Sequence, residues 1–241
     1  MFQWKGSWVM IGDNLVSKKD NTDNYFEWKQ EEFCFQFLPE KAVYLPDHKA
    51  LLIADPHFGK AAHFRKAGVP VPETVHSQDY QKIKKLIELK KPQSLIFLGD
   101  LFHSDFNTSW FDLEAFRSLF SEVDFHLVKG NHDILPEQFY RSGFWHVHNE
   151  TMKLGKLILS HEPLMEISEG NLNLCGHIHP GISLYGSGRQ KLTLPCFHVS
   201  PNRIILPAFG RFTGLAKMPC EKNDRVFAIT GKKVIPVNFM P

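Results

Sequence analysis

This chain is poor in cysteine, in strong charge of either sign and in long apolar runs. Its four cysteines, Cys34, Cys175, Cys196 and Cys220, are scattered with no C-x-x-C pair. That spacing excludes a zinc ribbon, a thioredoxin-like redox motif and the dense pairing of small secreted scaffolds, so the thiols are read as reduced and mostly buried. No stretch approaches the length of a transmembrane helix. The opening residues, MFQWKGSWVMIGDN, are broken by Gly6 and Gly12 and lack the continuous apolar core of a secretory signal. Cytoplasmic residence without a membrane contact is the expectation. A net charge of +2 is too mild to argue for a nucleic-acid partner by itself.

What is present is ordinary globular material. The chain has 241 residues, 43% hydrophobic and 22% charged, enough for one α/β domain with a sizeable core. Residues 12–24 are polar and turn-rich, which sets residues 1–11 apart as an appended strand or a loose tail. Residues 1–30 are therefore read as an amino-terminal extension of unassigned role, and 31–241 as a single domain. Strands are expected at Phe33–Phe37, Ala42–Leu45 and Ala50–Ala54, the last two joined as a hairpin. Glu73–Lys91 has helical periodicity through Tyr80, Ile83 and Ile87, with Pro92 just past its end. Trp110–Ser121 is a second expected helix, with Leu113, Phe116 and Phe120 on one face. Strands and helices alternate to about residue 145, which favours a parallel sheet. Beyond that come short strands and turns, which favour a second, more antiparallel sheet.

Five separated strings carry the chemistry: DPH (Asp55–His57), GDLFH (Gly99–His103), GNHD (Gly130–Asp133), SHEP (Ser160–Pro163) and GHIHP (Gly176–Pro180). Each follows a short apolar run. A strand that ends in a turn and then presents a polar side chain is how α/β proteins build sites at strand carboxyl ends. Asp55, His57, Asp100, Asn131, His161, His177 and His179 offer two carboxylates, one carboxamide and four imidazoles. Such mixed N/O donors suit two divalent ions, Mn²⁺ first, with Fe²⁺, Zn²⁺ or Ni²⁺ also compatible. Two aspartates leave a formal surplus of about two positive charges, which fits a phosphate oxyanion. A water shared by two such ions is acidified and placed for in-line attack on phosphorus. Within GNHD, His132 is free to donate to the phosphate or leaving group if Asn131 ligates, and Asp133 could hold its other ring nitrogen. His103 could reach a second phosphate oxygen, or simply cap a turn.

In this order the five strings resemble the calcineurin-like metallophosphoesterase superfamily. The resemblance implies a four-layer α/β/β/α sandwich of two mixed sheets flanked by helices. It implies one metal held by Asp55, His57, Asp100 and His179, and a second held by Asp100 (bridging), Asn131, His161 and His177, with His132 catalytic. The phosphate-binding Arg that protein serine/threonine phosphatases of the superfamily carry after the bridging Asp is missing here. LLIADPHFGKAAHFRKAGVPVPE (Leu51–Glu73), LPCF (Leu194–Phe197) and LPAFGRFTG (Leu206–Gly214) are similar to the bacterial DNA-ligase-associated metallophosphoesterases, also called PdeM. That implies a phosphodiester substrate such as DNA, and association with an ATP-dependent DNA ligase, a helicase and an exonuclease. Two alternatives stay open: the same chemistry on a small nucleotide or phosphomonoester, and a non-catalytic subunit of such a repair complex.

Weaker candidates flank the set. Lys60, Arg65 and Arg211 could grip a phosphodiester, against the plainer reading of a solvated helix face or a packed loop. Phe58, Phe64, Phe209 and Phe212 are candidate walls of the site. His63, His76, His126, His146, His148 and His198 have no motif around them and read as ordinary surface or core histidines.

Overall fold

The computed structural model describes residues 2–4, 7–11, 24–60, 74–102, 109–140, 145–185, 190–211 and 213–239. Among them, the first sheet comprises β3 (Phe26–Gln30), β4 (Phe33–Leu38), β5 (Ala42–Leu45), β6 (Ala50–Ala54), β7 (Ser94–Leu98), β8 (Asp124–Val128) and β9 (Trp145–His148), in that spatial order. The strands pair antiparallel up to β6, and β6 to β9 run parallel. The sheet is buried on both faces at its centre, and all five residues of β6 are buried. Central parallel strands need this kind of unbroken apolar run, because each face has its own core. Leu51 and Ile53 face the helices α1 (Thr74–Lys90) and α2 (Ser109–Arg117), whose Ile83, Leu86, Trp110 and Leu113 fill that side. A further short helix, α3 (Glu137–Tyr140), contributes Tyr140 to the same core.

Ala50, Leu52 and Ala54 face the other way, into the core between the two sheets. The second sheet contains β10 (Thr151–Leu154), β11 (Leu157–Ser160), β12 (Leu172–Cys175), β13 (Pro180–Tyr185), β14 (Lys191–Ser200), β15 (Arg203–Ile205), β16 (Ala216–Lys217), β17 (Arg225–Ile229) and β18 (Val234–Phe239), together with β1 (Phe2–Trp4) and β2 (Ser7–Ile11). The sheets meet through rings such as Phe37 and Phe197, stacked with centroids 4.5 Å apart. β11, β12 and β15 run parallel to one another, an island of parallel pairing inside an otherwise mostly antiparallel sheet. The architecture is thus the expected α/β fold of two mixed sheets. All three helices just described pack on the first sheet.

The second sheet folds back on itself. β14 pairs with both β13 and β17, β17 with β18, β18 with β2, β2 with β1, and β1 with β13, all antiparallel. This closes a ring, around a small core of Ile182, Leu184, Cys196, Val226, Ala228 and Val237. The amino-terminal residues therefore supply two strands of the ring. β3 joins the first sheet, and its Phe26 is buried between the sheets against Phe227.

Candidate metal centre at the strand ends

Parallel pairing puts the carboxyl ends of β6, β7 and β8 side by side, with Ala54, Leu98 and Val128 in register. The parallel strands β11 and β12 end opposite them. All five strings follow these ends, so the topology brings together residues that are far apart in sequence.

The donors form two groups that share Asp100. In one, Asp55, His57 and His179 hold their ligand atoms within 4.8 Å of one another. His179 Nε2 lies 3.4 Å from Asp55 Oδ1, and His57 Nε2 is 3.9 Å from Asp100 Oδ2. In the other, His161 Nε2 lies 3.0 Å from Asn131 Oδ1, 3.0 Å from His177 Nδ1 and 3.4 Å from Asp100 Oδ1. Asp100 therefore turns one oxygen to each group, as the bridging ligand of a dinuclear centre would. Of the ligand set, Asp55, His57, Asp100 and His161 are buried, whereas Asn131 is exposed.

His161 Nδ1 is 3.0 Å from the Leu98 carbonyl oxygen, so that nitrogen carries a proton and donates there. With Nε2 unprotonated, its lone pair faces a carboxamide oxygen, a carboxylate oxygen and a second imidazole nitrogen. Lone pairs converging at 3.0–3.4 Å repel unless a cation accepts them all. Bonds of about 2.0–2.2 Å to one divalent ion give ligand separations in this range. Asp55 Oδ1 is buried with no hydrogen-bond partner among the described residues, which is costly unless a cation satisfies it. The residues present fit two divalent ions.

The backbone is strained to make this shell. Asp55, His57, Asp100, His177 and His179 all have positive φ, between 47° and 65°. Left-handed conformation at a non-glycine residue costs of order 1–3 kcal/mol and persists where surrounding bonds impose it. Here His57 N–H donates to the Asp100 carbonyl at 3.0 Å, and His177 N–H donates to Asp55 Oδ2 at 2.9 Å. Glycines allow the close approach: a Cβ on Gly130 would lie 2.4 Å from Asp100 Oδ1, and one on Gly176 would lie 2.4 Å from Asp55 Oδ2.

His132 is exposed at the mouth, its ring 6.1 Å from that of His57, and its N–H donates to Asp100 Oδ1 at 3.0 Å. Asp133 accepts the N–H groups of Leu101 and Gly130, one on each oxygen and each at 2.8 Å, so the carboxylate clamps the GNHD loop to the GDLFH loop. A backbone clamp is what a buried carboxylate at a loop junction does best, since amides there have no other partner. Burial pushes the Asp133 carboxyl up to about 6, against the pull of those two amides.

The remaining candidates divide. Lys60 sits beside the centre: burial pushes its ammonium below the ordinary lysine value and Asp100 pulls it back up. Arg211 is exposed on the loop that leaves β15, and that loop is tied to the centre by Phe209 N–H to the Ala54 carbonyl and Gly210 N–H to the Asp55 carbonyl. His103, Arg65, Phe64 and Phe212 lie outside the described residues. Phe58 and Phe209 are core residues, not site walls; both sit in the helix-facing cluster, and Phe58 stacks on Tyr80 at 4.8 Å.

Two supports were missed in the sequence. Asn173 is fully buried and holds the SHEP loop, donating to the Ile158 carbonyl and Ser160 Oγ and accepting from Leu164 N–H. A polar residue inside the apolar run LNLC was the available signal. Lys41 donates to the Gly210 carbonyl at 3.4 Å, with burial, helped by Lys82, pushing it down to about 8. Nothing in the sequence marks it, because its partner is on a remote strand end.

The signature of the calcineurin-like phosphoesterases matches residues 48–205, and the chain belongs to that family. It is accordingly a hydrolase of phosphoester bonds, from a metal-dependent family. Among solved structures it is similar to the Pseudomonas putida nuclease MPE, at 29% identity and a TM-score of 0.72, over 88% of this chain and 100% of that one. It also matches YfcE, a phosphoesterase from E. coli, at 14% identity and a TM-score of 0.41, over 80% of this chain and 99% of that one. No curated protein matches the chain. None of the described helices is long and apolar enough to cross a membrane.

Proposed function

We propose that this chain hydrolyses nucleic-acid phosphodiesters at a dinuclear centre, with Asp55, His57, Asp100 and His179 on one metal and Asp100, Asn131, His161 and His177 on the other. The observation that carries the two-metal reading is the convergence of lone pairs on His161 Nε2 together with the split carboxylate of Asp100. The N/O donor set, with no thiolate, suits Mn²⁺. When bound, the two ions supply an acidified water and neutralise charge on the phosphoryl oxygens. His132, exposed beside the centre, donates to the phosphate or the leaving oxygen. Asp133 keeps the loop that carries His132 in place. Lys60 and Arg211 grip flanking phosphates.

The nucleic-acid substrate is supported by the likeness to a protein described as a nuclease, over most of both chains. A role in DNA repair beside an ATP-dependent ligase, a helicase and an exonuclease rests on the resemblance to the ligase-associated group. The modest net charge keeps a small nucleotide substrate as the competing reading. The test is turnover by metal-stripped protein, with Mn²⁺ restored, on bis-(4-nitrophenyl) phosphate, 4-nitrophenyl phosphate and single-stranded DNA. Mn²⁺-dependent cleavage of the diester and of DNA is the expected result. Cleavage of the monoester alone would overturn the nucleic-acid reading, and inertness on all three with two metals bound would overturn the general esterase reading.

A further inference from the structure

One other group of metal-capable side chains stands among the described residues, and it shares no residue with the strand-end centre. His198, Cys220 and Asp224 hold their ligand atoms within 4.8 Å of one another. β14 places Phe197 and Val199 in the core between the sheets, so its alternate residues Cys196 and His198 face the opposite side. Asp224 immediately precedes β17, which pairs with β14 so that His198 stands opposite Val226. Cys220 lies in the segment leading to it, and packs against the small core that contains Cys196.

We propose that His198, Cys220 and Asp224 form a structural zinc site that fastens residues 218–224 to the face of β14 and β17 that carries the ring core.

Three observations carry this. First, His198 Nε2 is buried and has no hydrogen-bond partner among the described residues, although Asp224 Oδ2 is only 3.4 Å away. That separation is long for a hydrogen bond to a charged oxygen but close to the roughly 3.5 Å between two ligands on one tetrahedral zinc. Second, the donor set is chemically apt: an imidazole, a thiolate and a carboxylate suit borderline-soft Zn²⁺, in contrast to the thiolate-free set at the strand ends. Third, charge balances. A neutral imidazole, one thiolate and one carboxylate carry two negative charges, which one Zn²⁺ cancels, so the buried group becomes neutral overall. Binding forms one Zn–N, one Zn–S and one Zn–O bond and releases the Cys220 thiol proton to solvent. Asp224 is already oriented, since its Oδ2 accepts the Glu221 N–H at 2.8 Å.

The test uses cobalt, because only a thiolate ligand gives a near-ultraviolet sulfur-to-cobalt charge-transfer band, and the strand-end donors include no sulfur. Reduced, metal-stripped full-length protein is titrated with Co²⁺ and then with Zn²⁺. The expected result is a thiolate band that Zn²⁺ erases. It is lost in Cys220→Ser and kept in Cys34→Ser, Cys175→Ser and Cys196→Ser, while His198→Gln and Asp224→Asn weaken Co²⁺ binding by at least about tenfold. Absence of the band in the wild type, or its persistence in Cys220→Ser, would overturn the proposal. Because the readout is spectroscopic, it is independent of phosphoesterase turnover.

Discussion

The backbone N–H of His132 donates to Oδ1 of Asp100 at 3.0 Å, so the exposed histidine is positioned by the carboxylate that both donor groups share. Substitution at the two positions should separate metal binding from proton donation. Asp100→Asn should lose metal and activity together, by at least about 100-fold in turnover. His132→Ala should keep both metals, by elemental analysis, and lose about 10²–10⁴ in kcat. His132→Ala keeps the backbone N–H that bonds Asp100, so metal loss in that variant would mean that the ring itself helps to hold metal.

Asp133 should matter to stability before it matters to chemistry. An Asn there can accept with one oxygen only and turns an NH₂ toward an amide donor, leaving a buried N–H unmatched. Asp133→Asn should cost about 1.5–3 kcal/mol in urea unfolding of the metal-free protein. An unchanged midpoint would refute the clamp.

Gly130→Ala is expected to act by crowding Asp100. The added Cβ would lie 2.4 Å from Asp100 Oδ1 and 2.5 Å from its backbone N, and the backbone cannot retreat. Overpacking of this kind costs about 1–3 kcal/mol. Circular dichroism should stay native while Mn²⁺ affinity, measured by calorimetry, falls.

Acid should weaken the fold partly through His126. Its ring stacks on His146 at 4.7 Å and His148 at 5.6 Å, and burial followed by those neighbours pushes it down to about 4. Unfolded histidine titrates near 6.5, so between about 6.5 and 4 the unfolded chain binds a proton that the folded chain refuses. Stability from this residue is therefore complete above 6.5 and lost as pH falls toward 4. His126→Phe keeps the stacking and should show a smaller drop in Tm over that window. Equal drops in both proteins would exonerate His126.

Arg211 is exposed and close enough to Lys41 to lower its affinity for a proton. If it grips a backbone phosphate, Arg211→Ala should weaken single-stranded DNA binding across sequences and reduce the log–log salt slope by about 1. A variant with the wild-type slope would place Arg211 off the substrate path.

The strand ends were legible in the sequence because buried parallel strands read as unbroken apolar runs, and each run here stops at a turn and a donor. Edge strands were less visible. β10, with its alternation of exposed and half-buried residues, has too little apolar signal to stand out, and β3 is half-buried along much of its length. The job of Asp133 could not be read either, since Leu101, to which it is bound, is 32 positions away. Lys41 and Gly210 are 169 positions apart. Local pattern reveals which residues an element offers; the partner comes only from topology.

The ring of the second sheet sets a timetable for assembly. β2 pairs with β18, Ile11 opposite Val237, so an early strand waits for one made near the far end. At 5–20 residues per second a ribosome leaves that edge open for roughly tens of seconds. The first sheet, whose strands all precede residue 149, can form meanwhile, and three of the five donor strings with it. His161, His177 and His179 arrive later, so a metal held by them would be captured late in biogenesis, and a nascent chain stalled before them would be folded in part without that donor set.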